Sequence, residues 1–224
     1  MAILVTNGRG RDRGTMTQAI QASKIEEVGE LVDLFGLAQT FEPDFFPEWR
    51  SQLPDLSDPE QQALMEMKEE YRRLSLYANL EPIVKMVIVG PLLKMAGFYR
   101  PPFRVKAEKR VELATEDEGV IVRGLLDVLV MHDRFWTVLI EAKRVQYSLD
   151  AGIPQALFYM LGDPNPNKPI FGFITNGPDF QFLKLVREDR PQFSLSDRFY
   201  MDSSRDDLHQ VLKILKKLGA LVQG

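Results

Sequence analysis

In the run Leu125-Leu126-Asp127-Val128-Leu129-Val130, one carboxylate stands among five aliphatic residues. A short Val- and Leu-rich stretch closed by the polar group His132-Asp133-Arg134 reads as a strand, and a second such run follows from Phe135 to Arg144. Burying an unpaired charge in a strand of this kind is costly, so Asp127 needs a compensating group. If the turn is centred on Asp133, Leu139 lies opposite Asp127. Asp127, Glu141 and Lys143 then occupy one face of the sheet as diagonal neighbours.

The rest of the chain supplies the elements around this hairpin. Its 224 residues suit one large domain or one domain with an appendage. Gly8 to Gly14 mixes glycine with arginine and reads as a mobile arm; its spacing matches neither a P-loop nor a dinucleotide fingerprint, so no nucleotide cofactor is expected. From Thr15 to Ala38, Val28, Leu31, Val32 and Phe35 recur at helical spacing. Thr40 to Pro59, rich in aromatics and prolines, is an irregular connector. Ser57-Asp58-Pro59-Glu60 is a capping box that opens a helix running to about Tyr77, and Leu80 to Ala96 is a more apolar helix ended by Gly97.

Antiparallel strands follow at Val111 to Leu113, Val120 to Met131 and Phe135 to Arg144, then a short helix over Asp150 to Leu161. A hairpin is expected around Asn176-Gly177, and a closing helix carries Leu208, Val211, Leu212, Leu215 and Leu218 on one stripe. The expected fold is α/β, a mixed sheet with helices on its faces. It divides into residues 1–56 (arm, helix and connector) and residues 57–224 (the main domain).

Composition closes off several chemistries. Without cysteine there is no disulfide, thiolate zinc site, iron-sulfur cluster or catalytic thiol, and two histidines argue against a histidine-built metal site. No apolar run approaches the roughly 20 residues of a membrane span, so the expectation is a soluble, cytoplasmic protein with no membrane partner. The net charge of −4 means that a polyanion must be met by a local patch.

An acid-x-Lys triplet is weak evidence alone: 32 acidic residues and 12 lysines in 224 positions give about 1.7 by chance, and the chain holds two. Glu66-Met67-Lys68 lies in a helical pattern, where positions i and i+2 diverge. Glu141-Ala142-Lys143 ends a strand, where i and i+2 share a face. Two adjacent carboxylates repel unless a cation lies between them, and all-oxygen ligation suits Mg²⁺ or Mn²⁺. Gln155 and Tyr159 share a face of the short helix, and Glu81 opens the apolar one.

Asp127, then Glu141-x-Lys143, then Gln155-x-x-x-Tyr159, preceded by Glu81 on a helix, resembles the PD-(D/E)xK nuclease superfamily. Within it the pattern is similar to the RecB-like branch and to the N-terminal nuclease domain of type I restriction enzyme R subunits, as is the Ile174-Thr175-Asn176-Gly177 hairpin. Leu126 stands where the proline that names the motif would be. The resemblance covers roughly Leu80 to Val186 and implies a restriction endonuclease-like fold for the main domain. It also implies Mg²⁺-dependent hydrolysis of phosphodiesters in DNA. Asp127, Glu141 and the Ala142 carbonyl would hold the metal, with Glu81 completing its shell. Lys143 would orient or deprotonate the water or stabilise the transition state, and Gln155 and Tyr159 would position the lysine and a phosphate. Arg100, Arg104, Lys106, Lys109 and Arg110, a local net +4 with Glu108, would contact DNA.

Two other readings stand beside this one. Glu141 can be a structural ion pair with Lys143 or Arg144. The scaffold can also serve as a catalytically degenerate DNA-binding or protein-interaction module, favoured by the net −6 of Glu42 to Glu81. The N-terminal helix and the two-strand cutting common in the superfamily leave a homodimer as an open expectation.

Overall fold

The computed structural model describes residues 18–77, 81–114, 120–132, 135–142, 148–165 and 167–221. Within them the strands are β1 (Gln18–Gln21), β2 (Ala38–Gln39), β3 (Phe103–Ala114), β4 (Val120–His132), β5 (Phe135–Ala142), β6 (Ile170–Thr175), β7 (Asp179–Val186) and β8 (Gln192–Tyr200). They form one sheet in the order β1-β4-β5-β6-β7-β8-β2, with β3 paired to β4. β1–β4, β5–β6 and β2–β8 are parallel and the other pairs antiparallel, so the expected mixed sheet is present.

Helices cover both faces. On one side lie α2 (Asp58–Ser75), α3 (Glu81–Val84), α4 (Gly90–Met95) and α6 (Asp207–Leu221); on the other lie α1 (Val28–Phe35) and α5 (Ile153–Leu161). β6 shows why the two cores are separate: all six of its residues are buried, with Phe171 and Phe173 entering the core beneath α2, α4 and α6, and Ile170 and Ile174 the core beneath α1 and α5. A strand covered on both faces has no polar side, hence the apolar run Ile170 to Ile174 before Thr175. Phe173 and Phe182 tilt against each other with centroids 5.0 Å apart, and burying each such ring contributes about 2 kcal/mol.

Local signals hold where helices begin and end. The Ser57 hydroxyl and Glu60 carboxylate form the expected capping box, and Leu64, Met67 and Tyr71 give α2 a buried stripe. Gly97 adopts a left-handed φ of 86° after α4. Gly177, at φ 107° between β6 and β7, lies against Tyr71, where a Cβ would collide with the ring and hydroxyl. The α6 stripe is buried as its periodicity requires.

The N-terminal segment departs from expectation. The helix read over Thr15 to Ala38 is confined to Val28–Phe35, because Gln18–Gln21 forms β1 alongside Val120–Arg123, and Ala22 and Ile25 are buried beneath the sheet. Long-range strand pairing and burial override local helical spacing here. Residues 18–56, read as lying ahead of the main domain, thus contribute β1 and β2 to its sheet. Among the described residues, no helix is long and apolar enough to cross a membrane.

Candidate active site

β3 and β4 pair from Phe103 opposite His132 to Ala114 opposite Ile121, and midway the ribbon turns over. Val122 and Leu126 enter the core beneath α1 and α5, as alternation requires, yet Leu129 enters it too, while Val128 and Val130 face the other core. Asp127 stands where the faces change. On β3, between Ala107 (opposite Val128) and Lys109 (opposite Leu126), Glu108 has a φ of 52°. A left-handed non-glycine residue costs about 1 kcal/mol and marks a local demand on the backbone. The turnover leaves the Asp127 side chain 13% exposed against the helix that begins at Glu81.

The register between β4 and β5 differs from the expected one. His132 pairs with Phe135, so the turn is centred between residues 133 and 134, both outside the described residues. That centre alone would set Ile140 opposite Asp127. A bulge follows, however: Met131 pairs with Trp136 but Val130 with Val138, leaving Thr137 without an opposite number. Leu139 therefore lies opposite Leu129, not Asp127, and Val128 opposite Ile140. The pairing ends there, so Asp127 and Glu141 each lie one residue beyond the last paired positions. Glu141 and Ala142 are by then held by β6, paired to Ile174 and Thr175. Lys143 lies outside the described residues.

The group that compensates Asp127 is one the sequence reading missed. Lys85 Nζ is 2.6 Å from Asp127 Oδ1 and 2.6 Å from Glu81 Oε1. Glu81 and Lys85 are four apart, and Lys85 opens a π-helical turn, Lys85–Val89, that joins α3 to α4. Such turns are rare and recur at functional sites. Val84, Ile88 and Val89 are buried on the sheet, which anchors the lysine stem beside β4. Burial opposes the Lys85 charge, but the hydrogen bonds it donates to Asp127 and Glu81 outweigh it and raise its pKa above the ordinary lysine value. The ammonium therefore stays charged at neutral pH.

Gln155 and Tyr159 approach β4 from the opposite layer. Gln155 Nε2 donates to the Tyr159 hydroxyl at 2.9 Å, and that hydroxyl donates to the Leu125 carbonyl at 3.0 Å. The geometry follows from the edge of β4, where β1 pairs with Val120–Arg123 and β5 with Val128–His132, so that Leu125 falls between them. Gly124 leaves room for the ring: a Cβ there would lie 2.5 Å from Tyr159 Cε1. Tyr159 is wholly buried, and its hydroxyl holds the strand two residues from Asp127. Gln155 is half-buried.

The basic run is divided by the same turnover. Arg104 and Lys106 pair with Met131 and Leu129, and Lys109 with Leu126, which sets all three at positions of the α5 side. Arg110 pairs with Leu125, at the position two residues before Asp127 on β4, and Arg100 precedes the strand. Arg100, Arg104, Lys106 and Arg110 are exposed and Lys109 half-buried. Arg110 lines a concavity of about 500 Å³ together with Gln21, Glu112, Arg123, Gly124 and the half-exposed Leu125. Arg123, which the sequence reading passed over, is ion-paired to Glu112 at 2.8 Å.

Among the described residues, no three His, Cys, Asp or Glu side chains gather as a metal-binding group. The donors that do converge, Glu81 and Asp127, are both carboxylates aimed at one cationic atom. This oxygen-only arrangement fits a hard cation in its chemistry, with Lys85 occupying the central point. No protein-family model matches the chain, and no curated protein matches it.

Proposed function

We propose that this chain is a metal-dependent nuclease hydrolysing phosphodiester bonds in DNA, built on a restriction endonuclease-like arrangement of the mixed sheet and its helices. One observation carries the reading. Glu81 and Asp127, from a helix and a strand far apart in sequence, converge on a single cationic point, Lys85 Nζ; Asp127 lies one residue before Val128, which pairs with Ile140 of β5. Two carboxylates directed at one partly buried point supply the charge and the oxygen ligands a divalent cation takes.

When bound, Mg²⁺ or Mn²⁺ would supply an activated water and neutralise charge developing on the scissile phosphate. Asp127 and Glu81 would supply carboxylate ligands, and Glu141 and the Ala142 carbonyl of β5 would complete the set. Lys143 would orient the attacking water, as the resemblance implies. Tyr159, braced by Gln155, fixes the backbone that carries Asp127. Arg110 and Arg123 offer charge to the flanking phosphates from the concavity beside Leu125.

The test is cleavage of plasmid, linear duplex and single-stranded DNA with and without Mg²⁺ or Mn²⁺, alongside Mn²⁺ titration. The wild type is expected to cut and to bind Mn²⁺, and Asp127→Asn to lose both. If Asp127→Asn leaves metal affinity and cleavage unchanged, the proposal fails.

A specific observation favours a second reading. Lys85 already neutralises both carboxylates, as it would in a catalytically degenerate scaffold that binds DNA or protein without metal. In that case DNA binding persists, Mn²⁺ does not bind, and Asp127→Asn acts only on stability.

A further inference from the structure

Lys85 raises a question that the nuclease reading leaves open, because its ammonium stands where a metal ion would have to stand. We propose that Lys85 is a positioning residue that acts as the site's internal counter-cation. It holds the Glu81 and Asp127 carboxylates together before metal binds and competes with the divalent cation for the point between them. This inference rests on the metal-dependent reading above.

The argument is geometric. Both carboxylate oxygens are 2.6 Å from Lys85 Nζ. A Mg²⁺ ion sits about 2.1 Å from its oxygen ligands. An ion bound to either of these oxygens would therefore lie no farther than about 4.7 Å from an unmoved ammonium, and an ion bound to both would lie closer still. Two cations at that separation in a partly buried site repel strongly, since water screens them poorly there. An ion that takes both carboxylates at the point Lys85 Nζ now occupies thus requires Lys85 to move aside. The side chain has a way out, because it is 30% exposed and its stem is long and flexible. Until it leaves, it keeps two carboxylates from repelling each other apart, so the site is pre-formed for a cation without being open to every ion. The π turn that starts at Lys85 sets the lysine one turn above Glu81 and against β4 at once.

Mn²⁺ titration of the full-length chain tests this with Lys85→Gln and Lys85→Arg beside the wild type. Removing the competing charge should tighten Mn²⁺ binding about tenfold in Lys85→Gln, whereas Lys85→Arg should keep the weaker wild-type affinity. Unchanged or weaker binding by a folded Lys85→Gln overturns the proposal.

A second measurement needs no Lys85 variant. Acylation of the Lys85 amine, followed by peptide mass spectrometry, should be slow in the metal-free wild type and several-fold faster once Mn²⁺ is bound. A rate indifferent to saturating Mn²⁺ also overturns the proposal. The two failures are distinguishable. If wild-type Mn²⁺ binding depends on Asp127 but Lys85 is indifferent to it, only this inference falls. If the wild type shows no Asp127-dependent Mn²⁺ binding, the nuclease reading and this inference fall together.

Discussion

The Tyr159 hydroxyl donates to the Leu125 carbonyl at 3.0 Å, tying α5 to β4 two residues before Asp127. Replacing Tyr159 with phenylalanine keeps the ring but leaves that carbonyl without its donor and Gln155 Nε2 without its acceptor. A buried hydrogen bond lost in this way costs about 1–2 kcal/mol. Tyr159→Phe should therefore lose that much unfolding free energy, read as a lower urea midpoint at an unchanged m-value. Cleavage should drop several-fold because Asp127 is held less firmly. A variant as stable as wild type would mean that the tie contributes nothing.

A cationic cap steadies the same helix from its far end. Arg187, at the end of β7 and 7% exposed at its side chain, donates to the Leu161 carbonyl at 2.7 Å and the Asp163 carbonyl at 2.5 Å. Carbonyls at a helix C-terminus have no partner within the helix, so the guanidinium satisfies groups that would otherwise be buried bare. Burial draws the Arg187 pKa below the usual arginine value, against the pull of Asp163. Arg187→Ala should destabilise by about 3 kcal/mol, measured by denaturant unfolding. A loss under 1 kcal/mol would show that water replaces the cap without penalty.

How far the sequence could be read follows from where local rules held. Ser57, Gly97, Gly177 and the α6 stripe announce themselves because caps, left-handed turns and amphipathic spacing depend on neighbours a few residues away. β8 gave no such signal: Phe193, Ser196 and Phe199 are buried three apart, and a register irregularity against β7 between Gln181 and Leu183 accompanies this break in alternation. At the candidate site, Asp127 was legible as a charge needing a partner, but the partner was not. Lys85 lies 42 residues away in an apolar helix, and only the packing of that helix on β4 brings the two together. A trace of the ribbon's turnover was present in the spacing of Leu126 and Leu129, three apart where strict alternation gives two or four. The bulge at Thr137 left no trace of comparable clarity.

Glu60 makes stability depend on acid pH. Burial pushes its carboxyl pKa up, but hydrogen bonds with Lys216 and with the Ser57 backbone and hydroxyl outweigh this and hold it below the ordinary glutamate value. A group whose folded pKa is depressed stabilises the fold above its unfolded pKa, about 4.3, and loses that contribution as the pH falls through the lower folded value. Wild type should exceed Glu60→Gln in unfolding free energy at pH 7 by on the order of 1 kcal/mol, for the lost ion pair with Lys216 and the weaker, uncharged capping bond. The gap should narrow steadily below pH 4. A gap independent of pH would remove the carboxylate charge as its cause.

Arg110 and Arg123 give the DNA reading a test independent of catalysis. Both line the concavity beside Leu125, and Glu112, ion-paired to Arg123, partly offsets their charge. Each phosphate neutralised on duplex DNA adds about 0.9 to the slope of log affinity against log salt. If both arginines meet phosphates, the Arg110→Ala, Arg123→Ala double variant should bind duplex DNA more weakly at low salt, with a slope shallower by about 2. Its Mn²⁺ affinity should be unchanged, because neither residue contacts Asp127 or Glu81 through the bonds that form the carboxylate pair. Arg104→Ala and Lys106→Ala, which alter positions on the other side of the ribbon, should shift the slope less. Equal effects from the two pairs would mean that DNA does not follow the Asp127 side of β4.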